Sequence, residues 1–332
     1  MGIWSRLTGQ RNRNVPVALE YFVTLCPSFP HFPKFASDKR LAGIRINSAA
    51  LSPSEVITEL ESAAATGASR VVPLWFDVKG RQLRITEVLP NPTHIDIRIN
   101  HPIRVKLPTP VLFKAGAESG LLIRVEERGH RLIFADGRTH GPRSEVKPGD
   151  SFHIRDGSLV VSGDQFISAE LEKIATVKAA GFKRFFLSYV QCQRDFDEFR
   201  ELVGRDSEVY LKIEDLKGLR YVATEFKKQP GVALVAARGD LYVELERLHD
   251  ILSALRFIAE RDPGAMVGSR ILLSMVADSV PSCADFSELA WLYDIGYRRM
   301  LLCDELCLHE PLLSRAMNAL EAFRTSYGNR QK

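Results

Sequence analysis

Two short segments hold the densest chemistry in this chain: Lys212 and Glu214 close an apolar run at 209–213, and Arg238, Gly239 and Asp240 follow another at 232–237. Polar pairs two residues apart also close runs at Arg45 and Asn47 and at Asp77 and Lys79, and Ser269 stands beside one more. Carboxylates offer oxygen ligands to a hard divalent cation. Lysine and arginine offer charge to a phosphorylated acid, and the two sets together are what phosphoryl transfer needs. Taken singly, each of these residues is an ordinary strand-end or surface charge. Their recurrence at consecutive run ends is what points to a common site. Gly239 permits close approach of backbone amides to an anion, although turn geometry alone also explains a glycine there.

A common site requires elements that bring the run ends to one mouth. Eight runs rich in β-branched and aromatic residues read as strands: Leu19–Leu25, Gly43–Asn47, Arg70–Phe76, Arg184–Val190, Val209–Ile213, Val232–Ala237, Ile271–Met275 and Arg299–Cys303. Helix-like stretches alternate with them: Lys34–Arg40, Ser52–Thr66, Ser168–Ala180, Asp195–Val203, Leu216–Lys228, Tyr242–Arg261, Ala284–Ile295 and Pro311–Phe323. The pattern predicts a (β/α)8 TIM barrel with its polar groups at the C-terminal strand ends. An open doubly wound sheet is the alternative, because periodicity does not prove closure. Residues 83–165 alternate strand and turn signals without a helical period, which predicts a small β-rich domain inserted after the third strand. The expected division is 1–82 for the first part of the barrel, 83–165 for the insert and 166–332 for the second part.

The 332 residues are 45% hydrophobic and 26% charged, with a net charge of +4, which suits a globular protein and gives no footprint for nucleic acid. Five scattered cysteines argue for reduced thiols and a cytoplasmic setting, and no apolar run is long enough for a membrane span. The first 15 residues, with Arg6, Arg11 and Arg13, read as a short basic arm. A homo-oligomer is left open.

The run Leu211-Lys212-Ile213-Glu214-Asp215, followed by Ala236-Ala237-Arg238-Gly239-Asp240-Leu241, resembles the paired Lys-Ile-Glu and Ala-Arg-Gly-Asp-Leu strand ends of the pyruvate kinase family. Phe76-Asp77-Val78-Lys79-Gly80 with Arg84, Ile44-Arg45-Ile46-Asn47, Thr24-Leu25-Cys26-Pro27, the stretch from Ser269 to Pro281, and Leu302-Cys303-Asp304-Glu305 resemble further motifs of that family in the same order. The resemblance implies that Glu214 and Asp240 hold magnesium or manganese and that Lys212 stabilises the transferring phosphoryl group. It further implies that Arg45 and Lys79 meet the phosphate, that the Arg238–Asp240 turn receives the carboxylate, that Ser269 lies near the enolate, and that Arg84 reaches nucleotide phosphates. Asn47 and Asp77 keep half of a monovalent-cation site whose other ligands are replaced by Ala49 and Val78, which leaves potassium open. Arg81 is the expected stand-in for potassium or for the missing lysine of the lid. The chain stops soon after Tyr327, so the resemblance predicts no C-terminal effector domain. The implied reaction is glycolytic transfer of phosphate from phosphoenolpyruvate to ADP, giving pyruvate and ATP. The changed nucleotide side keeps two alternatives: nucleotide-independent, metal-assisted enolate chemistry on a 2-oxo acid, and a noncatalytic metabolite-binding barrel.

Overall fold

The computed structural model describes residues 19–65, 72–91, 93–113, 116, 118–135 and 146–327. The basic arm and the start of the expected third strand at Arg70 lie outside the described residues. Eight parallel strands form a closed barrel: β1 (Glu20–Thr24), β2 (Leu41–Asn47), β3 (Leu74–Val78), then β12 (Arg184–Leu187), β13 (Glu208–Ile213), β14 (Val232–Ala237), β15 (Met266–Gly268) and β16 (Arg299–Leu301). They neighbour one another in chain order, and β16 closes on β1 with Glu20 opposite Arg299. The sheet is therefore closed and not open.

The barrel interior follows from the two-residue period of a strand. Phe22, Trp75, Phe186, Tyr210, Ala233, Val235, Met266 and Leu301 pack together as a separate apolar cluster inside the barrel. Trp75 lies 4.3 Å from Tyr210 and 5.3 Å from Phe186, centroid to centroid. Two residues further along the same strands, on the same face, stand Thr24, Asp77, Ser188 and Lys212. The aromatic plug is thus the floor of the polar mouth. On β2 the corresponding floor position is Gly43, where a Cβ would run into the Phe22 ring and stand 2.8 Å from Trp75. The outward-facing residues of the strands join the helix layer in the main core.

Between β3 and β12 the chain builds β4 (Ile85–Val88), β5 (Asp96–Ile99), β6 (Ile103–Arg104), β7 (Thr109–Phe113), β8 (Glu118–Glu126), β9 (Arg131–Phe134), β10 (Phe152–His153) and β11 (Val160–Val161). Six of them form an antiparallel sheet in the order β10-β7-β8-β9-β5-β4, and β6 pairs with β11. This insert has its own core, including Ile97, Val111, Phe113, Leu132, Phe134 and Phe152. Its two ends meet at the barrel rim, where Arg81 Nη1 donates to the Gly163 carbonyl at 2.8 Å. His101, 2% exposed, reaches back to the Gly80 carbonyl at 3.2 Å.

Several expected elements are corrected, among them the fourth strand, which ends at Leu187 and not at Val190. The seventh strand is Met266–Gly268, not Ile271–Met275. Ile271, Leu272 and Met275 are buried, but in a turn where Ser269, Arg270 and Leu272 take positive φ before the short helix Met275–Asp278. A short apolar run cannot distinguish such a turn from a strand. The third strand starts at Leu74 and runs to Val78, which places Asp77 inside it. The helix expected over Tyr242–Arg261 is two helices, Arg238–Glu244 and Ile251–Arg261, because Leu245 turns to extended backbone and buries its side chain. The first helix is Phe32–Ala36. Others fall close to expectation, among them Pro53–Ala65, Ser168–Ala179, Leu216–Thr224 capped by Asp215, and Cys283–Asp294 capped by Ser282. No helix among the described residues is long and apolar enough to cross a membrane.

Two outcomes test this packing. Gly43→Ala forces its new methyl against the aromatic plug and is expected to cost about 1–3 kcal/mol in urea unfolding. Burial holds His101 down to about 4, with the Gly80 carbonyl opposing and Arg81 and His130 assisting. The unfolded chain then binds more protons between about pH 4 and 6.5, so this residue's contribution to stability falls as pH drops through that window. His101→Gln should flatten the acid limb of stability against pH relative to the parent.

Candidate active site

Asp77 is fully buried on β3, and the mouth is organised around its carboxylate. Arg45 on β2 pairs with Asp77 Oδ2 through Nη2 at 2.6 Å and donates to it from Nε at 2.8 Å. Lys79 Nζ donates to the same oxygen at 2.6 Å, and Ser188 Oγ donates to Oδ1 at 3.2 Å. Lys212 Nζ donates to Ser188 Oγ at 2.9 Å and stands 3.6 Å from Asp77. Burial alone would raise the Asp77 carboxyl, but Lys212, Lys79 and Arg45 hold it well below the usual carboxylate range. Burial lowers Lys79 to about 7 despite Asp77, with Lys212 and Arg45 pushing the same way. Lys212 is also opposed by burial, yet Asp77 and Glu214 raise it.

Arg45 is held on its other side by Thr24 Oγ1 at 3.0 Å and Asp304 Oδ1 at 2.8 Å. Asn47 donates to Asp304 Oδ2 at 2.9 Å and accepts from the Ala49 amide at 3.2 Å. The expected monovalent-cation residues are therefore engaged internally, and a protein ammonium already sits on Asp77. That arrangement does not fit a potassium ion. It is Lys79 that reaches Asp77; Arg81 instead bonds Gly163 and stands 3.9 Å from Asp195.

Glu214, just past β13, is fully buried. Its Oε2 accepts from the Tyr189 amide at 2.6 Å. Its Oε1 lies 2.8 Å from Lys212 Nζ but finds no hydrogen bond of good geometry among the described residues. Burial and the nearby Asp240 raise the Glu214 carboxyl, against Lys212. Asp240 is lowered: burial opposes this, but His153 and Lys212 outweigh it. Two carboxylates close enough to repel, one with an orphaned buried oxygen, suit a hard divalent cation. Among the described residues no group of three carboxylate, imidazole or thiol side chains is arranged to hold a metal. Magnesium is commonly held by one or two carboxylates with substrate oxygens and water, so the pair fits such an ion.

The neighbouring turn joins Ser269 to the helix Arg238–Glu244. Arg238 donates to the Ser269 carbonyl at 3.0 and 2.7 Å and pairs with Glu288 at 2.5 Å. Its guanidinium thus clamps a backbone in which Ser269 has φ 69°. At Gly239 a Cβ would stand 2.8 Å from Ser269 Oγ, so the absence of a side chain brings that hydroxyl against the helix. Arg84 feels Asp240 and Asp77 and so lies near the mouth, but its Nη1 donates to the Gly149 carbonyl and its Nη2 to Gln82.

Four participants escaped the sequence reading. Ser188 was hidden because the fourth strand was drawn through Val190, whereas it ends at Leu187, so the strand end appeared three residues late. Asp304 directly follows the expected eighth strand and lies in the Leu302–Glu305 segment that resembles a family motif, but neither signal assigned it a role. Tyr189, at φ 55°, and His153, on β10, carry no local signature of a site.

No family model matches the chain. It is 25% identical over 258 residues to the pyruvate kinase of Encephalitozoon cuniculi, covering 71% of this chain and 57% of that protein. It is 27% identical over 257 residues to the pyruvate kinase of Agrobacterium vitis, covering 65% of this chain and 51% of that protein. The chain spans about half the length of these curated relatives. Similarity at this level supports a family-level resemblance.

If Asp77 is the hub, Asp77→Asn leaves three buried cations under-compensated and is expected to cost about 3–5 kcal/mol of stability. Ser188→Ala removes a hydrogen bond at about 1–2 kcal/mol. Paired denaturant titrations of the two variants check the order.

Proposed function

We propose that the protein is a pyruvate kinase-like phosphotransferase, moving the phosphoryl group of phosphoenolpyruvate to ADP. The observation that carries this reading is the set of charges Asp77, Lys212, Glu214 and Asp240, the first three buried and the last half-buried, at the ends of β3, β13 and β14 above an aromatic floor. The similarity to two pyruvate kinases supports it.

In this reading the P–O bond of the enol phosphate breaks, a P–O bond to a terminal oxygen of ADP forms, and the released enolate takes a proton at its methylene carbon. Lys212, raised and held by Ser188 and Asp77, keeps a fixed positive charge beside the phosphoryl group, where charge is redistributed during transfer. Arg45 sets the same sign of field behind it and Lys79 adds to it when protonated, each held in place by Asp77. Glu214 and Asp240 would hold a divalent cation, which when bound would neutralise phosphate and carboxylate oxygens. The first turn of the helix at Gly239 and Asp240 would receive the substrate carboxylate beside Ser269. The insert, held against the helix at the mouth by His153 and Arg155, would limit water there.

A second reading, enolate chemistry without a nucleotide, is favoured by one observation. Arg84 and Arg81, the cations expected to meet a nucleotide, both donate to main-chain carbonyls.

A coupled assay of pyruvate formation separates the two. The expected outcome is turnover that needs ADP and magnesium, proceeds unchanged without potassium, and falls at least about 100-fold in Lys212→Met and in Glu214→Gln. Deuterium entry into the pyruvate methyl group without ADP, in the absence of phosphoenolpyruvate turnover, would select the second reading.

A further inference from the structure

His153 belongs to the insert but bonds to the barrel. On β10 the neighbours Phe152 and Ile154 pack into the insert's core, so strand alternation turns His153 out of the opposite face. Arg155 shares that face, and its Nε donates to the Val243 carbonyl. His153 is 2% exposed. Its Nδ1 meets Glu244 Oε1 at 2.7 Å and lies 3.3 Å from the Tyr189 hydroxyl. Its Nε2 faces Asp240 Oδ1 at 3.4 Å, an ion-pair contact without hydrogen-bond geometry. Imidazole is therefore the group that the insert places on the carboxylate next to Glu214.

We infer that His153 is a positioning residue lent to the site by the insert, and that its imidazole and a divalent cation make competing claims on Asp240. The inference rests on the proposed role of Asp240 as a cation ligand. Two neighbouring carboxylates, Glu214 fully buried and Asp240 half-buried, call for positive charge beside them. In the protein alone Lys212 supplies it on the Glu214 side, and on the Asp240 side stands His153, whose two ring nitrogens each face a carboxylate, Glu244 at 2.7 Å and Asp240 at 3.4 Å, an arrangement that the doubly protonated imidazole suits. A divalent cation shared by Glu214 and Asp240 removes that need and places like charge opposite the imidazole. The contact to Asp240 is then lost, and the insert holds the same helix through the His153–Glu244 bond and Arg155 alone. Loading of the site and the grip of the insert are coupled through one carboxylate.

The test uses Mn2+ as the probe on the full chain. Binding is followed by electron paramagnetic resonance of free Mn2+, and the insert's grip by hydrogen–deuterium exchange in a peptide spanning 151–156. His153→Gln is expected to bind Mn2+ about tenfold more tightly, because the competitor is gone. In the parent, saturating Mn2+ should speed exchange at 151–156. In His153→Gln exchange is already fast and the metal changes it little. Glu244→Gln, which weakens the imidazole's anchor without touching Asp240, should shift both readouts the same way by less, and carries the test if His153→Gln does not fold. Equal Mn2+ affinity in parent and variants, or slower exchange on metal addition, overturns the inference while leaving the metal site standing. Absence of Mn2+ binding in every variant overturns the metal role of Asp240 and this inference together.

Discussion

A single buried carboxylate makes the rest of the mouth affordable. Three cations, Arg45, Lys79 and Lys212, converge where little water reaches, and without Asp77 they would repel one another out of the barrel or lose their protons. The cost of burying so much charge is offset by short, charge-assisted bonds, several to the same oxygen. Positions are thereby fixed before any ligand arrives, which is the property that electrostatic catalysis requires. Asp304, holding Arg45 from the far side, extends the same scaffold to the last strand of the barrel.

Strand alternation explains why the site and the core occupy one tube. An apolar layer and a polar layer lie two residues apart on the same strands, so a single register sets both. That regularity made much of the site legible: Arg45, Asp77, Lys79, Lys212, Glu214 and Asp240 each close or follow an apolar run, and the structure brings them together. The seventh strand was less legible, because burial makes a turn residue such as Ile271 as apolar as a strand residue, and the positive φ at Ser269, Arg270 and Leu272 distinguishes them. Arg81, expected to replace a potassium ion or a lid lysine, has its Nη1 on the Gly163 carbonyl and not on Asp77. A guanidinium serves a carbonyl as well as an anion, and the backbone near the insert's base claimed it.

The insert is where sequence reading had least purchase. Its alternation reveals strands, and the structure shows an antiparallel sheet with a private core. Which face meets the barrel depends on packing across elements distant in the chain. His153 is bonded to Glu244, 91 residues away, and no local pattern announces such a pair.

The bond between Arg81 and Gly163 has a consequence for assembly. β3 and β12 are adjacent in the barrel, though the whole insert separates them in sequence. A long flexible connection would make their pairing entropically expensive and slow. With its two ends pinned at the rim, a folded insert leaves between β3 and β12 an ordinary crossover through the helix Ser168–Ala179, the same kind of connection as the barrel's other strand–helix–strand units. Order of folding then matters: a chain that completes the insert first meets a far smaller search when the two arcs of the barrel come together.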